Sequence, residues 1–571
     1  MSSPNYRLHF LSFVFCLITT AVLARLFYWQ ILSGDRLTAA AAKQHWKNLS
    51  LPAPRGKILT QDGYPLVNNQ TSYDLYLDRS QIKLPETEIT SQVMPLISTD
   101  SAILASESAR LQKQLQNPNS IWIKLFSRLT ATIKNQIASL NISGLVFQNQ
   151  PIRIYPEASQ SAHLLGFVAA NSAGQPQGYF GLEGFYDREL SGRSGSLSLE
   201  TDAVGNPIVL GNSRQQASLP GRDLFTHLDR SIQFIAEQKL LAGLQKYGAV
   251  SGTVSIMDPQ TGAILAMAAY PNYSPTDYSQ YPREYYPNPI INQSYEPGST
   301  FKVLIMAAAL DQGVVNDQTI CPCSGPKIIN SFSISTWDGK YHPNSTITEI
   351  IQNSDNVGMV FTSELLGHDA IINYLQKFGF GKPTGIDLQE ESSPALRKDW
   401  RPIDLATASF GQGIAVTPLQ MLTAVASLAN HGILTQPQIV DKLIDSSTQP
   451  ETIIDISPHQ IRQVVSATAA SQMTKIMINA VKKGEAKWAA PKGYRIAGKT
   501  GTAQIPVAGH YEANKTIASF VGFAPADNPK FAMLVTLREP TTSPWGSETA
   551  APLWFDIAKQ LFLHWNIPPT N

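Results

Sequence analysis

The sequence predicts an α+β protein carried on one N-terminal transmembrane helix. Three observations predict it. Residues 8–31 are almost wholly apolar. From about residue 44 to 225, short strand-like runs closed by turn residues mix with segments of helical spacing. Beyond 226, long helical patterns alternate with Val-, Ile- and Ala-rich runs of strand length. The 571 residues suffice for about three domains. The net charge of +1, with no basic run and no aromatic-basic stripe, gives no sign of a nucleic-acid binder. Pro and Gly are dispersed and no repeat or low-complexity block is present, so the chain is globular and rich in turns.

The first element is the run Phe10-Leu11-Ser12-Phe13-Val14-Phe15-Cys16-Leu17-Ile18, continued by Ala21-Val22-Leu23-Ala24. As a helix, residues 8–31 would be roughly 36 Å long, enough to cross a bilayer. His9, Arg25 and Gln30 stand near its ends, where long side chains reach water. Val22-Leu23-Ala24 resembles a signal-peptide cleavage site, but Leu26-Phe27-Tyr28-Trp29 extends the apolar run with interfacial aromatics, which favours an uncleaved anchor. Arg7 precedes the segment and Arg25, Arg36, Lys43 and Lys47 follow it, so charge does not set its orientation. The short tail 1–7 is expected in the cytoplasm.

In the next region, Asp62-Gly63 between alternating residues reads as a hairpin turn. Residues 121–142 alternate apolar and charged residues at helical spacing, and Ser143-Gly144-Leu145-Val146-Phe147 reads as a strand. No nucleophile–base pair or metal-ligand cluster stands here, and the lone His163 is expected to be structural. Of the three cysteines, Cys16 is expected to face lipid or pack. Cys321-Pro322-Cys323 is too closely spaced for an easy disulfide and has no zinc-ligand partners nearby, so a structural or incidental pair is expected.

A new unit starts at Pro220-Gly221. Residues 229–247 form an amphipathic helical pattern, and two strands flank Asp258-Pro259 and Gly262. Then comes Glu296-Pro297-Gly298-Ser299-Thr300-Phe301-Lys302. Pro297-Gly298 makes a turn, and Ser299 opens an apolar run to Leu310 that reads as a buried helix closed by Gly313. Lys302 follows Ser299 by one helical turn on the same face. A buried amine there can take the hydroxyl proton, which is the layout of an activated serine nucleophile. A serine that merely caps a helix is the plain alternative for this tetrapeptide alone.

Ser354-Asp355-Asn356 interrupts two helical pieces, 346–353 and 357–366, where an ordinary turn would also fit. Ser409-Phe410-Gly411-Gln412-Gly413 forms a glycine-rich turn before a helix with Thr417 as cap and Pro418 at its first position. No nucleotide-binding pattern follows it. Lys499-Thr500-Gly501-Thr502 lies in a strand whose interior glycine signals close approach of another backbone. An extended peptide could add along this edge, with Lys499, Thr500 and Thr502 available to a carboxylate. Residues 518–525 and 531–537 read as further strands, and 550–563 as a closing helix.

Ser299-x-x-Lys302, Ser354-x-Asn356 and Lys499-Thr500-Gly501, in that order and set on helix, turn and strand, resemble the three active-site motifs of the penicillin-recognising serine acyltransferases. The anchor, Arg55-Gly56, Asp62-Gly63, Arg153-x-Tyr155-Pro156 and Gly181-Leu182-Glu183 resemble the membrane-proximal pedestal of class B penicillin-binding proteins. The 296–302 and 520–527 segments are similar to the cell-division branch, and the elongation branch is close to them.

The resemblance implies a tail at 1–7, an anchor at 8–31, an elongated mixed α/β pedestal of dimerisation type at 32–225, and a transpeptidase domain at 226–571 with a central, mostly antiparallel sheet between helices. It implies a peptidoglycan D,D-transpeptidase in the bacterial cytoplasmic membrane, single-pass, working on the outer face and inhibited by β-lactams. Ser299 would be the nucleophile, Lys302 the base, Ser354 a proton relay steadied by Lys499, and Asn356 an orienting amide. Thr500 and Thr502, with Gly501 between them, would bind the substrate carboxylate. Backbone N–H groups of Ser299 and Thr502 would form the oxyanion hole. No metal or cofactor is expected. No Glu-x-x-Leu-Asn deacylation motif lies between Asn356 and Lys499, and no glycosyltransferase motif stands near the N-terminus. A separate membrane glycan polymerase and division proteins are therefore the expected partners. The rival readings are a carboxypeptidase or β-lactamase using the same serine, and a non-catalytic scaffold that binds β-lactams or wall fragments.

Overall fold

The computed structural model describes residues 5–38, 46–98, 100–116, 122–156, 161–200, 213–507 and 510–569. Residues 1–4 of the expected tail lie outside these, as do Lys43, Gln44 and Ile121, which entered the sequence expectations. Two compact units account for the chain: residues 1–54 with 192–221, and 55–191 with 222–571.

In the first unit, the helix Asn5–Phe27 runs on into the π-helical turn Tyr28–Leu32. These 28 residues form the one helix long and apolar enough to cross a membrane among the described residues, and none of them is buried. Cys16 is exposed on it. A small antiparallel sheet joins Trp46–Leu51, Gly195–Glu200 and Ser213–Gln216.

The second unit begins with the expected hairpin. Ile58–Leu59 pairs antiparallel with Pro65–Gln70 across a turn where Gly63 takes φ 80°. Ile58–Leu59 also runs parallel to Asp223–Thr226, which pairs in turn with Val440–Asp445. One six-stranded sheet therefore takes strands from both sides of residue 225. The helix expected over 121–142 is corrected. Trp122–Leu129 is a strand beside Tyr73–Asp78, and only Ala131–Ser139 is helical, capped by Thr130. Ile123 and Leu125 turn inward while Trp122 and Lys124 turn outward, so pairing with a neighbouring strand selected the period-two reading. His163 is structural, as expected: it is buried edge-on to Tyr273, with Nε2 3.0 Å from the Tyr285 carbonyl oxygen.

The five-stranded antiparallel sheet runs in the order Ile264–Tyr270, Ser251–Met257, Phe531–Arg538, His510–Ala524, Ala497–Val507. Strand alternation divides the core. Met533, Val535 and Leu537 face the helices Arg230–Tyr247 and Ala550–His564, alongside Trp554 and Phe555. Ala532 and Leu534 face the other way, toward the cluster holding Val303, Leu304, Met421 and Met473. That second cluster continues without a break to Ile58, Leu164, Leu182 and Leu224.

The reading that Cys321 and Cys323 stand too close for an easy disulfide is also corrected. Cys321 and Cys323 are joined by a disulfide, their Cα atoms 5.3 Å apart. Pro322 and the positive φ of Cys323 (38°) turn the chain so that the separation falls within the usual range of about 4.4–6.8 Å.

Candidate active site

The element carrying Ser299 is a short 3₁₀ turn, Gly298–Phe301, followed by the helix Lys302–Asp311. That helix is buried from Lys302 to Leu310, as its all-round apolar sequence requires. Ser299 is half-buried and precedes the helix rather than capping it. Its turn is pinned from outside. The Gly298 N–H donates to the Gly411 carbonyl at 3.0 Å, and Glu296 Oε1 accepts from the Gly413 N–H at 3.0 Å. Gly411 must be glycine: its φ is 80°, and a Cβ there would stand 2.1 Å from the Gly298 oxygen. The glycine-rich turn at 409–413 thus buttresses the Ser299 turn.

Ser354 takes φ 55°, a left-handed conformation uncommon for serine, between the helices Ile347–Gln352 and Asn356–Leu366. Asp355 caps the second helix, Oδ1 accepting from the N–H groups of Val357 and Gly358 at 2.8 and 3.1 Å. The kink turns Ser354 and Asn356 toward one amine. Lys302 Nζ donates to the Ser354 carbonyl at 2.6 Å and to Asn356 Oδ1 at 2.8 Å, and it lies 3.3 Å from Ser354 Oγ. Lys302 is fully buried. Burial, reinforced by the nearby Lys499 charge, pushes it well below the ordinary lysine range. Among the described residues, the Ser299 hydroxyl has no hydrogen-bond partner.

Ala497–Val507 is an edge strand, as a peptide-adding edge requires. Lys499 Nζ donates to Ser354 Oγ at 3.0 Å and to Thr500 Oγ1 at 3.0 Å. Burial lowers Lys499 too, and the Glu485 charge opposes that shift. Gly501 is buried behind the nucleophile turn. A Cβ there would lie 2.8 Å from Thr300 Cγ2 and 3.1 Å from the Pro297 oxygen, the close approach its position signalled. Thr502 is half-buried, and its Oγ1 accepts from the Gly546 N–H at 2.9 Å.

Ser299, Asn356 and Thr502 open onto one cleft of about 280 Å³, shared with Gln412, Gln504, Trp337 and Trp545. The two tryptophans meet edge to face across it, ring centroids 5.1 Å apart. Thr500 and Gly501 do not line the cleft. Sequence reading missed Glu485, whose Oε2 accepts from Thr500 Oγ1 at 2.8 Å, and the tryptophan pair. Neither lies within a motif, and only the folded chain brings them to the site.

Comparison with known proteins fits this geometry. Residues 252–562 match the family model of the penicillin-binding protein transpeptidase domain, and residues 50–226 that of the penicillin-binding protein dimerisation domain. The chain is 34% identical to stage V sporulation protein D of Bacillus subtilis, over 97% of this chain and 84% of that one. It is 29% identical to the peptidoglycan D,D-transpeptidase FtsI of Escherichia coli, over 96% and 90%. The crystal structure of penicillin-binding protein 2X from Streptococcus thermophilus superposes with a TM-score of 0.76 at 25% identity, over 90% of this chain and 80% of that one.

Proposed function

The chain belongs to the penicillin-binding protein transpeptidase family, and from that premise we propose a mechanism in which Ser299 carries the acyl group. The enzyme is a peptidoglycan D,D-transpeptidase and a target of β-lactams. The observation that carries the mechanism is the amine of Lys302, fully buried, depressed in pKa and one turn from Ser299. A neutral amine has two N–H groups and one lone pair. The two short bonds, to the Ser354 carbonyl and Asn356 Oδ1, use both N–H groups. The lone pair is left for a proton from Ser299 or Ser354.

Ser299 Oγ attacks the carbonyl of the penultimate D-Ala while its proton passes to Lys302. The C–N bond then breaks, and the terminal D-Ala leaves after its amine takes a proton through Ser354. Lys499, as an ammonium donating to Ser354 Oγ, directs the Ser354 proton away from itself and toward that path. Thr502 receives the substrate carboxylate. The amine of a second stem peptide attacks the resulting ester, forming the cross-link and freeing Ser299. Trp337 and Trp545 wall the cleft in which the donor peptide lies.

The layout we propose is a cytoplasmic tail at 1–7, an anchor at 8–31, a pedestal at 32–225 and the catalytic domain from 226. Support comes from the N-terminal apolar helix and from the stretches matched by the two family models. Anchored in the bacterial cytoplasmic membrane, the catalytic part faces outward. It works with a separate glycan polymerase and division proteins in septal wall synthesis, a role supported by the similarity of 296–302 and 520–527 to the cell-division branch.

Labelling with a fluorescent penicillin, wild type beside Ser299→Ala, with mass spectrometry over hours, tests this reading. The expected result is a long-lived adduct on Ser299 that the variant lacks. An adduct cleared within seconds would indicate a hydrolase, and no adduct on folded protein would leave the non-catalytic scaffold.

A further inference from the structure

We propose that Glu485 is a positioning residue of this reaction, acting through the Thr500 hydroxyl to keep the positive charge of the buried lysine pair on Lys499 and off Lys302. The inference rests on the reading of Ser299 as nucleophile and Lys302 as its base. Two ammonium groups buried side by side are costly, so the pair tends to hold one proton. The chemistry needs that proton on Lys499, because a charged Lys302 has no lone pair.

The geometry supplies the bias. Lys499 Nζ donates to Thr500 Oγ1 at 3.0 Å, and Thr500 donates its only proton to Glu485 Oε2 at 2.8 Å. The carboxylate is thus one hydroxyl away from Lys499. Lys302 feels the charges of Lys499, Glu485 and Asp355, and Lys499 feels that of Glu485. The segment of Glu485 itself adds Lys482, Lys483 and Lys487, all exposed. Removing the Glu485 charge therefore acts most strongly on Lys499, which the Thr500 hydroxyl links to that carboxylate.

The same bonds divide the labour of the two threonines. Thr500 is 7% exposed, with its proton given to Glu485 and its oxygen to Lys499. Thr502 accepts from the Gly546 N–H, and its own proton has no partner among the described residues. Thr502, which lines the cleft, is thus the hydroxyl free to meet the substrate carboxylate, and Thr500 serves the lysines.

The test is the second-order rate of acylation by a fluorescent penicillin across pH 6 to 10, for wild type, Glu485→Gln and Thr500→Val. Gln keeps an acceptor for Thr500 and loses the charge, and Val removes the hydroxyl relay. The expected profile is a bell whose alkaline limb, set by loss of the Lys499 proton, moves down by roughly one pH unit in both variants. The acid limb moves less. Thermal melts of each variant establish folding, and either variant alone decides the matter if the other does not fold. Profiles superimposable on the wild type overturn the inference, as does an acid limb displaced as far as the alkaline one. Wild type that takes no adduct on Ser299 defeats the underlying mechanism instead, so the two failures are told apart.

Discussion

Lys302 Nζ stands 2.8 Å from Asn356 Oδ1, so the buried base is held by a neutral amide and not by a carboxylate. The other end of that amide is fixed, Nδ2 donating to the Ser335 carbonyl at 3.2 Å. The amide orients the amine without favouring its charged form, which a carboxylate at the same place would do.

Asn356→Asp should therefore cripple acylation in a pH-dependent way. An anion in hydrogen-bond contact raises the Lys302 pKa, so less neutral amine is present at pH 7.5. The acid limb of the acylation profile should move up by about one to two pH units, with a loss of about 10–100-fold at pH 7.5 that recovers toward pH 9. Asn356→Ala removes the orienting bond without adding charge, and its loss should not recover. Acylation rates at both pH values separate the two, and a pH-independent loss in Asn356→Asp would refute the argument.

The depressed pKa of Lys302 also makes a stability prediction. Between the native pKa and the unfolded value of about 10.4, the unfolded chain binds one more proton at this site than the native chain does. Stability contributed by the site therefore rises with pH through that window, and the buried lysine is a burden at pH 7. Lys302→Met removes the term. The stability of wild type relative to Lys302→Met should improve from pH 7 to pH 10, as read by urea midpoints of both proteins. A difference constant over that range would contradict it.

Gly501→Ala should disable the enzyme without removing any polar side chain of the site. The new Cβ would meet Ser519 Oγ at 2.5 Å, Thr300 Cγ2 at 2.8 Å and the Pro297 oxygen at 3.1 Å. Either the edge strand or the Ser299 turn must move. We expect about 1–3 kcal/mol of destabilisation and an acylation rate at least about tenfold lower, because shifts well below 1 Å matter at a nucleophile. A melting scan with penicillin labelling at 20 °C checks both numbers.

Much of this was legible in the sequence, because each motif sits on an element that its neighbours specify locally. The Ser299 segment reads as turn plus apolar helix, Ser354-Asp355-Asn356 as a break between two helical pieces, and Gly501 as a close approach; all three stand in the fold. Trp122–Leu129 was misread because Ile123, Leu125, Phe126 and Leu129 satisfy helical and strand spacing alike, and only Tyr73–Asp78, far off in sequence, decides between them. Glu485 was invisible for a similar reason. It follows an ordinary helix end at Gly484, and its meaning comes from Thr500 reaching it across the fold.

Glu183 is fully buried and accepts from Arg55 Nη2 at 2.7 Å and Arg153 Nε at 2.6 Å. Arg55 also reaches Asp187 at 2.8 Å, so Arg153 loses most if Glu183 is removed. Glu183→Ala leaves a buried guanidinium without its counter-charge, at a cost of about 3–5 kcal/mol. None of these residues touches the Ser299 cleft, so penicillin labelling of the folded variant at low temperature should match wild type. On heating, the core argues for coupling. Leu164 and Leu182, beside this ion network, belong to the same apolar cluster as Val303 and Leu304 behind Ser299. Labelling competence should therefore fail at a midpoint lowered together with the loss of protease resistance in residues 55–191. Midpoints that separate, with labelling unchanged while 55–191 is cut, would show that the cluster does not transmit the destabilisation.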